Sequence, residues 1–545
     1  MDDQARAESL ARQFLHGDLS RRDFLRRSGG IGAGVFAATS LGSLAMAVAN
    51  SPGAIAQSPA AGINASIVPG GILKAALTGE PDTLDPATST IYTGAHVYDN
   101  IFSKLIDLDE NNEFYGVLAT KWQQTSPTTW VFDLADGVTF HNGEPFTSAD
   151  VKYTFERILD PKTASGYSPL YDVIDSVEAT TPSQVTFKLK TAFGPFLSNL
   201  ANNGEIVNKK AIESGDPARK PIGTGPFQFV EWVQGDHIKL KKNPTYFKAG
   251  LPHLDSITFR FLPVDQSRID SLAAGELDWA DAIPLQQVPA LKADPRFTYV
   301  TSPVAGIPDF LALNTKAPPF DNPKVRQAIA LAISRADIRD VAYLGTGELG
   351  LEEVPTGSTW YDATGIFGAT PDVARAKQLL AEAGYPNGLK VEYLGLPQYP
   401  ELLKTGQVVR DELKAIGIDM TIKPVDVSVW YDAYVAGKYQ ITSAYQERTI
   451  DPDNFYSLVI KSGGPINTIG YANPAVDALI DKAAASADEA ERKALYRQIR
   501  TIVTGDAPLV FAHYETLNYL MSKNVTGSGI TPTLSLHMEQ VGFMK

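Results

Sequence analysis

The spacing of apolar residues divides the chain into a strand-rich first half and a second half in which helices and strands alternate. Short extended runs predict strands at residues 71–77, 130–134, 228–232, 238–240 and 257–261. Apolar residues at three- and four-residue spacing predict helices at residues 324–338, 371–383, 401–416 and 487–504. Two more strands are expected between these helices, at residues 389–394 and 420–425. The alternation predicts an α/β fold.

Turn and capping residues set the ends of several of these elements. Asp136-Gly137 separates residues 130–134 from a second extended run at 138–140, which predicts a hairpin, and residues 141–144 predict a second turn. Two helix starts carry the residues that cap a helix, Thr147 with Asp150 and Asn322 with Pro323.

The first 56 residues have the features of an export signal. The arginine pair at 21–22, followed by Phe-Leu, resembles the twin-arginine signal of proteins that cross the bacterial inner membrane already folded. Small and apolar residues follow at 29–49, and residues 54–56 match a cleavage signal, with 47–49 as a second candidate. The alternative is a membrane anchor, since about 20 apolar residues can span a bilayer. We expect cleavage after residue 56 and a flexible leader at 57–69.

Composition narrows the class of protein further. With 545 residues the chain is too long for one hydrophobic core, so two or three domains are expected. A formal net charge of −14 disfavours binding to nucleic acid. The absence of cysteine excludes disulfide bonds, thiolate metal sites, cysteine nucleophiles and a lipid-modified N-terminal cysteine. We therefore expect a freely soluble, exported protein.

Motifs for catalysis and cofactor binding are missing or lack their structural context. Residues 345–350 match the pattern G-x-G-x-x-G, but the Leu-Glu-Glu-Val-Pro that follows does not open a helix on a phosphate. The seven histidines are scattered, and His141 with Glu144 is explained by the turn at 141–144. No pair of carboxylates is singled out, although composition leaves a two-carboxylate glycosidase open. We expect no catalytic residue, no metal and no cofactor.

A series of short motifs occurs along the chain in a characteristic order. They are Glu80-Pro81 with Leu84-Asp85-Pro86, Leu118-Ala119-Thr120-Lys121-Trp122, Phe140-His141-Asn142-Gly143-Glu144-Pro145-Phe146, Gly223-Thr224-Gly225-Pro226-Phe227, Leu313-Asn314-Thr315 with Pro319-Phe320, Val325-Arg326-Gln327-Ala328-Ile329 and Asp451-Pro452-Asp453-Asn454-Phe455. Each motif is weak alone, and their order makes the set specific. The chain resembles the extracellular solute-binding proteins of the peptide, opine and nickel class, family 5, which serve ABC importers.

That resemblance implies a periplasmic-binding-protein-like fold of class II, in which two α/β lobes close on a ligand and an extra domain is inserted. By analogy, the chain divides into domain I at residues 70–109, 210–313 and 510–545, the inserted domain II at 110–209, and domain III at 314–509. Closure is then driven by contacts that form only when both lobes meet the ligand.

The resemblance also implies where the ligand is recognised. Trp360 resembles a cleft tryptophan of the peptide binders, and Tyr445 falls where many of them carry an aromatic residue; the alternative for both is core packing. Peptide binders tend to hold the α-amino group with an aspartate four residues before a proline, where this chain has Arg448. A guanidinium suits a carboxylate or phosphate, unless it is simply solvated or ion-paired. Weaker candidates in loops at strand ends are Asn314, Tyr92 and Thr93.

The expected function is that of the substrate-binding component of an ABC import system. It would capture a peptide or peptide-like solute, anionic and of the opine or glutathione type, in the periplasm. The expected partners are this solute, the ABC permease with its ATPase subunits and the twin-arginine export machinery, and a monomer that binds no nucleic acid is expected. The alternatives are an oligosaccharide-binding protein of the same class, an exported hydrolase and a folding helper with exposed apolar patches.

Overall fold

The computed structural model describes residues 67–89, 91–302, 307–363, 367–368, 370–446 and 449–545. The predicted export signal at 1–56 and Arg448 lie outside these residues. The last three residues of the predicted flexible leader are described, and Ile67 and Val68 pair with Met544 and Phe543 as an edge strand. The leader prediction is therefore wrong at its end, because backbone pairing with the C-terminal strand holds these residues in the fold.

A seven-stranded mixed sheet is built from the first half of the described chain together with a strand near its end. Across the sheet its strands are Phe297–Thr301, Asn518–Ser522, Trp279–Ala280, Ile72–Leu77, Ser256–Phe261, His237–Lys242 and Phe227–Val233. The central strand, Ile72–Leu77, runs parallel to both of its neighbours. Its side chains alternate between two hydrophobic clusters, so helices and loops must cover both faces of the sheet.

A six-stranded mixed sheet forms a second unit. Across the sheet its strands are Glu348–Leu349, Leu509–Glu515, Ile307–Leu313, Ile441–Tyr445, Leu389–Gly395 and Ile418–Pro424. The last three run parallel to one another, so their carboxyl ends meet at one edge, the usual position of a ligand site in such sheets. Ile307–Leu313 is buried along its whole length because alternate residues enter hydrophobic clusters on the two faces.

A four-stranded antiparallel sheet forms a third unit, here called the small sheet unit. Its strands, in order, are Ala119–Ser126, Thr129–Leu134, Gln184–Leu189 and Ile174–Thr181. Aromatic residues fill its core, and the ring of Phe187 lies 5.6 Å from that of Phe132 and 5.2 Å from that of Phe196. Two smaller sheets pair Ile106–Leu108 with Phe114–Gly116, and Gly542–Met544 with Ile67–Val68 and Val525–Thr526.

Helices cover the sheets and connect their strands. Before residue 300 they are Tyr92–Tyr98, Ser148–Leu159, Ser168–Tyr171, Phe196–Asn203, Lys209–Ser214, Asp265–Ala273 and Val288–Ala293. Beyond it they are Pro323–Ala332, Arg335–Asp337, Val373–Glu382, Pro400–Leu413, Val427–Val435, Asp453–Phe455, Pro474–Ala484 and Glu489–Asp506. Within the described ranges, no helix has the length and apolar character needed to cross a bilayer.

The chain passes between the seven- and six-stranded sheets at two places, after Thr301 and after Glu515. Hydrogen bonds join the two crossings: the Ser302 amide donates to the Leu517 carbonyl at 3.0 Å, and the Leu517 amide donates to Ser302 Oγ at 3.2 Å. The two crossings therefore lie side by side in the fold.

Most of the predicted elements are confirmed, with ends that shift by a few residues. Both predicted caps are present: the Thr147 amide donates to Asp150 Oδ2 at 3.0 Å, and the Lys324 amide donates to Asn322 Oδ1 at 3.0 Å. These signals worked because a cap depends on residues within one turn of helix.

The predicted hairpin around Asp136-Gly137 is wrong. Thr129–Leu134 has Ala119–Ser126 on one side and Gln184–Leu189 on the other, so both of its edges are already paired. Residues 138–146 instead form their own tight turn, in which Thr139 pairs with Pro145. The second predicted turn, at 141–144, is confirmed there.

The predicted helix at 324–338 is also interrupted. Pro323–Ala332 ends where Ile333 becomes extended, with φ −93° and ψ 127°. The Ser334 amide then donates to the Glu412 carboxylate at 3.1 and 3.2 Å, and a new helical segment begins at Arg335. A side chain from a distant helix thus captures the amide that would have continued the first helix.

The division into three domains stays a prediction, and the sheets refine it. The six-stranded sheet includes Ile307–Leu313 and Leu509–Glu515, which pair with each other. Its strands therefore begin before residue 314 and end after residue 509. The next strand along the chain, Asn518–Ser522, belongs to the seven-stranded sheet. On this basis, we place the two boundaries at the crossings rather than at residues 314 and 509.

Candidate ligand-binding site

A cavity of about 430 Å³ lies between the small sheet unit and loops of the six-stranded sheet unit. Its walls combine apolar and polar side chains, which is typical of a site for a small organic solute. The lining residues are Leu108, Asn112, Glu113, Phe114, Trp130, Gly194, Leu197, Ser198, Pro355, Ser358, Thr359, Trp360, Thr449, Ile450, Asp451, Ala487, Glu489, Arg492 and Pro532.

Trp360 forms one apolar wall and is held by its neighbours. A turn begins at Ser358, whose Oγ accepts a hydrogen bond from the Trp360 amide at 3.2 Å. The indole packs edge-on against Tyr496 at 6.0 Å between ring centroids, and the Arg492 guanidinium lies 4.8 Å from the centre of the indole ring. Lys493 Nζ also lies 5.6 Å from the ring centre, and the indole is half-buried where it lines the cavity.

A buried ion pair supports this wall. Arg492 donates from Nη1 to Asp451 Oδ2 at 2.8 Å and from Nη2 to Asp451 Oδ1 at 2.6 Å, and both side chains are at least 95% buried. Burial would lower the pKa of Arg492, but Asp451 outweighs it and raises the pKa above its ordinary value. Arg492 also donates to the Ala483 carbonyl. Among the described lining residues it is the only cation, and Asp451 already neutralises it.

A second buried network anchors the loop that carries Trp360. Glu353 receives two hydrogen bonds from Arg500 Nε, at 3.0 and 3.1 Å, and a short one from its Nη2. Glu352 lies 3.3 Å from the same Nε, and Asp362 lies 3.5 Å from Arg500 Nη1. Burial raises the pKa of Glu352 to about 7, with a further rise from Glu353, although Arg500 opposes both effects. Arg500 thus forms ion pairs with three carboxyl groups.

This arrangement makes stability depend on pH, and Glu352→Gln should reveal it. A carboxyl whose pKa rises from 4.5 to about 7 on folding stabilises the fold fully below pH 4.5, and that contribution is lost as pH rises through 7. Between pH 5 and pH 8, the free energy of unfolding of wild type should therefore fall by about 1 to 2 kcal/mol more than that of the variant. The melting temperatures of both proteins across this pH range measure the difference. The matched control is Glu178→Gln, an exposed carboxyl on the small sheet. Parallel pH profiles for wild type and Glu352→Gln would contradict the assignment.

The small sheet unit supplies the opposite wall. Trp130 lies on Thr129–Leu134 and packs against Phe132 and Phe196 at 6.4 and 6.3 Å between ring centroids. Its indole Nε1 is buried and has no hydrogen-bond partner among the described residues, and the same holds for Thr449 Oγ1 across the cavity. Both residues line the cavity, and both of these polar atoms are shielded from solvent in this conformation.

Comparison with known proteins identifies the family to which this chain belongs. A profile of bacterial extracellular solute-binding proteins, family 5 Middle, matches residues 113–466, which include the small sheet and most of the six-stranded sheet. The chain belongs to this family.

Relatives and solved structures agree with that membership. The glutathione-binding protein GsiB of Pectobacterium atrosepticum is 30% identical over 468 residues, which cover 83% of this solute-binding protein and 90% of the relative. The periplasmic binding protein AgaA of A. tumefaciens R10, solved with agropinic acid, has a TM-score of 0.73 and 29% identity over 87% of this chain and 99% of AgaA. DppA of Helicobacter pylori, solved with the peptide STSA, has a TM-score of 0.73 and 28% identity, over 88% and 99% of the two chains. The predicted family and fold class are confirmed.

Of the predicted ligand residues of this solute-binding protein, Trp360 lines the cavity. Asn314 is buried, and its amide donates to the carbonyls of Gly437 and Tyr439 at 2.7 and 2.8 Å, so both amide hydrogens serve the fold. Tyr92 and Thr93 lie on the helix Tyr92–Tyr98 beside the seven-stranded sheet. The Tyr92 hydroxyl is 2.8 Å from the Tyr519 hydroxyl.

Tyr445 lies at the edge of the six-stranded sheet where the parallel strands end. Tyr445 is the last residue of Ile441–Tyr445, is 37% exposed and has its ring 6.3 Å from that of Tyr399. Arg448 lies outside the described residues, next to Thr449 in the sequence, and its role in the solute-binding protein stays a prediction.

Sequence patterns carry no signal that Trp130, Asp451 and Arg492 belong to the cavity. Trp130 was assigned only to a strand, and Arg492 lies inside a helix whose polar pattern resembles any exposed helix. Asp451 belongs to a motif that identified the family, yet nothing in that motif names its partner 41 residues away. Only the fold of the solute-binding protein brings these residues together.

Proposed function

We propose that this protein captures a small peptide-like solute in the periplasm and delivers it to the permease and ATPase subunits of an ABC importer. The observation that carries the proposal is the cavity between two sheet units, with Trp360 on one wall and Trp130 on the other. Relatives support the ligand class, because a protein named for glutathione binding is 30% identical over most of both chains. The function is binding rather than turnover, and the protein acts as a monomer.

The size and polarity of the cavity favour a small solute. About 430 Å³ falls at the lower end of the range of small-molecule sites. An amino-acid conjugate or a short peptide suits such a volume better than a long peptide. Its apolar part would lie on the indole of Trp360, and the side chains of Trp130 and Thr449 would line its other side.

We further propose that the solute carries a carboxylate, which Arg448 binds. The described part of the cavity offers no cation free to do so, because Asp451 neutralises Arg492. Arg448→Ala should then weaken binding of the solute about 10- to 100-fold, the value of a charge-assisted hydrogen bond. Isothermal titration measures this, and an amide analogue of the solute should bind wild type and variant equally. Unchanged affinity for the carboxylate form would contradict the anion assignment.

Export follows from the N-terminal segment in this proposal. The arginine pair at 21–22 directs the chain through the twin-arginine machinery, and cleavage near residue 56 releases it into the periplasm. Mass spectrometry of the protein recovered from the periplasm gives the mature N-terminus. Retention of residues 1–56 in a membrane fraction would instead support the anchor.

The experiment that tests the function is identification of the bound solute. The mature protein is purified from its native compartment and denatured, and released small molecules are identified by mass spectrometry. A stoichiometric peptide-like solute that raises the melting temperature of ligand-free protein supports the proposal. A stoichiometric sugar would assign the oligosaccharide alternative, which the two tryptophans also suit, and recovery of cleaved products alone would assign a hydrolase.

A further inference from the structure

A backbone hydrogen bond joins the two sides of the cavity beside its lining residue Gly194. The Gly194 amide donates to the Ala484 carbonyl at 2.7 Å. Gly194 lies in the small sheet unit, between Gln184–Leu189 and Phe196–Asn203. Ala484 is the last residue of Pro474–Ala484, which packs in the hydrophobic cluster on one face of the six-stranded sheet. The contact therefore joins the two sides that enclose the cavity.

The absence of a side chain at Gly194 is required by this contact. A Cβ atom built there would lie 2.2 Å from the Ser486 carbonyl oxygen and 2.8 Å from Arg492 Nε, distances that real Cβ atoms do not show. The backbone of Gly194 is outside the left-handed region, so its own conformation accepts any residue. All of the obstructing atoms belong to the opposite side of the cavity, which means that the clash exists only while the two sides are together.

Two further contacts lie along the same seam. Asn454 Nδ2 donates to Asn199 Oδ1 at 3.4 Å, and Ile450 packs against the hydrophobic core of the small sheet unit. Ile450 also lines the cavity. The seam and the cavity wall are thus continuous.

Arg492 connects the seam to the ligand wall. The same guanidinium that meets Gly194 is held by Asp451 and stacks on Trp360. Because the ion pair is buried and bidentate, Arg492 has little freedom to move away from an intruding side chain. The Arg492 side chain therefore supports both the indole on which a solute would rest and the surface that Gly194 approaches.

We propose that Gly194 is a positioning residue for solute binding: its missing side chain lets the small sheet unit seat against Ala484, Ser486 and Arg492 and seal the solute in the cavity. The inference rests on the proposed function and deepens it, since it names the unit that closes and the point where it stops. A residue that blocks this seat removes the differential stability that the solute gives to the closed form.

The test compares Gly194→Ala with Gly79→Ala. Gly79 is a matched control because it also has an ordinary backbone conformation, and a Cβ there meets nothing within 4 Å. The chain has no cysteine, so Lys188→Cys on the small sheet and Lys423→Cys on the six-stranded sheet give two unique labelling sites. Spin labels attached as thioethers report the distance between the sheets, with glutathione, agropinic acid and the peptide Ser-Thr-Ser-Ala as probes.

We expect a probe that binds wild type to shorten the label distance in wild type and Gly79→Ala, and to leave Gly194→Ala open. The affinity of Gly194→Ala should be at least tenfold weaker, while its ligand-free melting temperature matches that of the control. If Gly194→Ala closes on the same probe with unchanged affinity, this inference alone is overturned. If no probe binds or closes the wild type, the proposed function is overturned and this inference with it.

Discussion

Arg492→Met should lower the free energy of unfolding by about 3 to 5 kcal/mol, because it leaves Asp451 buried without its counter-ion. Methionine keeps much of the volume of the side chain, so the loss comes from the unpaired charge and not from a cavity. The measurement is chemical denaturation at pH 7.

The matched control is Arg497→Met, an exposed arginine on the same helix whose partner is Asp362 at 2.9 Å. Its loss should cost less than about 1 kcal/mol, as for other exposed pairs. The double variant Asp451→Asn with Arg492→Met removes both charges, and it should be more stable than Arg492→Met alone. If Arg492→Met and Arg497→Met lowered the free energy of unfolding by similar amounts, the buried pair would stabilise the fold no more than an exposed one.

Trp360→Ala should weaken solute binding by about 2 kcal/mol, roughly 30-fold, because a buried aromatic anchor at the centre of a site is commonly worth that much. The indole is half-buried and lines the cavity, so its removal takes away the apolar face on which the solute would lie. Isothermal titration with the solute released from the native protein gives the affinity. Trp360→Phe keeps an aromatic face and should retain most of the binding.

Tyr361→Ala serves as the control, since Tyr361 is the next residue and does not line the cavity. The ligand-free melting temperature of Trp360→Ala should fall less than the affinity does, because the half-buried indole packs at the margin of a hydrophobic cluster and contacts Tyr496, Arg492 and Lys493. Equal affinity of Trp360→Ala and wild type would remove Trp360 from the site and leave it a packing residue.

Local sequence signals predict individual elements reliably. The cap at Thr147 and Asp150 needs only residues of one helical turn, and it forms as expected. Strands such as Ile72–Leu77 and Leu389–Gly395 were visible from their extended apolar pattern. The order of the family motifs supplied the fold class, which the comparisons confirm.

Strand pairing and the early end of a helix could not be predicted from local sequence signals. The strand Thr129–Leu134 carries an alternating pattern whatever its neighbours are, so the pattern could not say that the hairpin after it fails. The helix from Pro323 ends early because Glu412, almost 80 residues away, binds the Ser334 amide. Apolar periodicity continues through that break, since it reports the buried face and not the backbone.

The sequence by itself determined the family, the α/β class and the absence of cysteine chemistry, because ordered motifs, periodicity and composition can be read without knowing which segments meet in the fold. The tertiary structure alone decided that Arg492 would be neutralised by Asp451 and that Gly194 would face Ser486. Those relations join segments separated by tens to hundreds of residues, and their energy comes from burial and close approach. The close approach of Gly194 to Ser486 forms only when the small sheet unit and the six-stranded sheet unit meet.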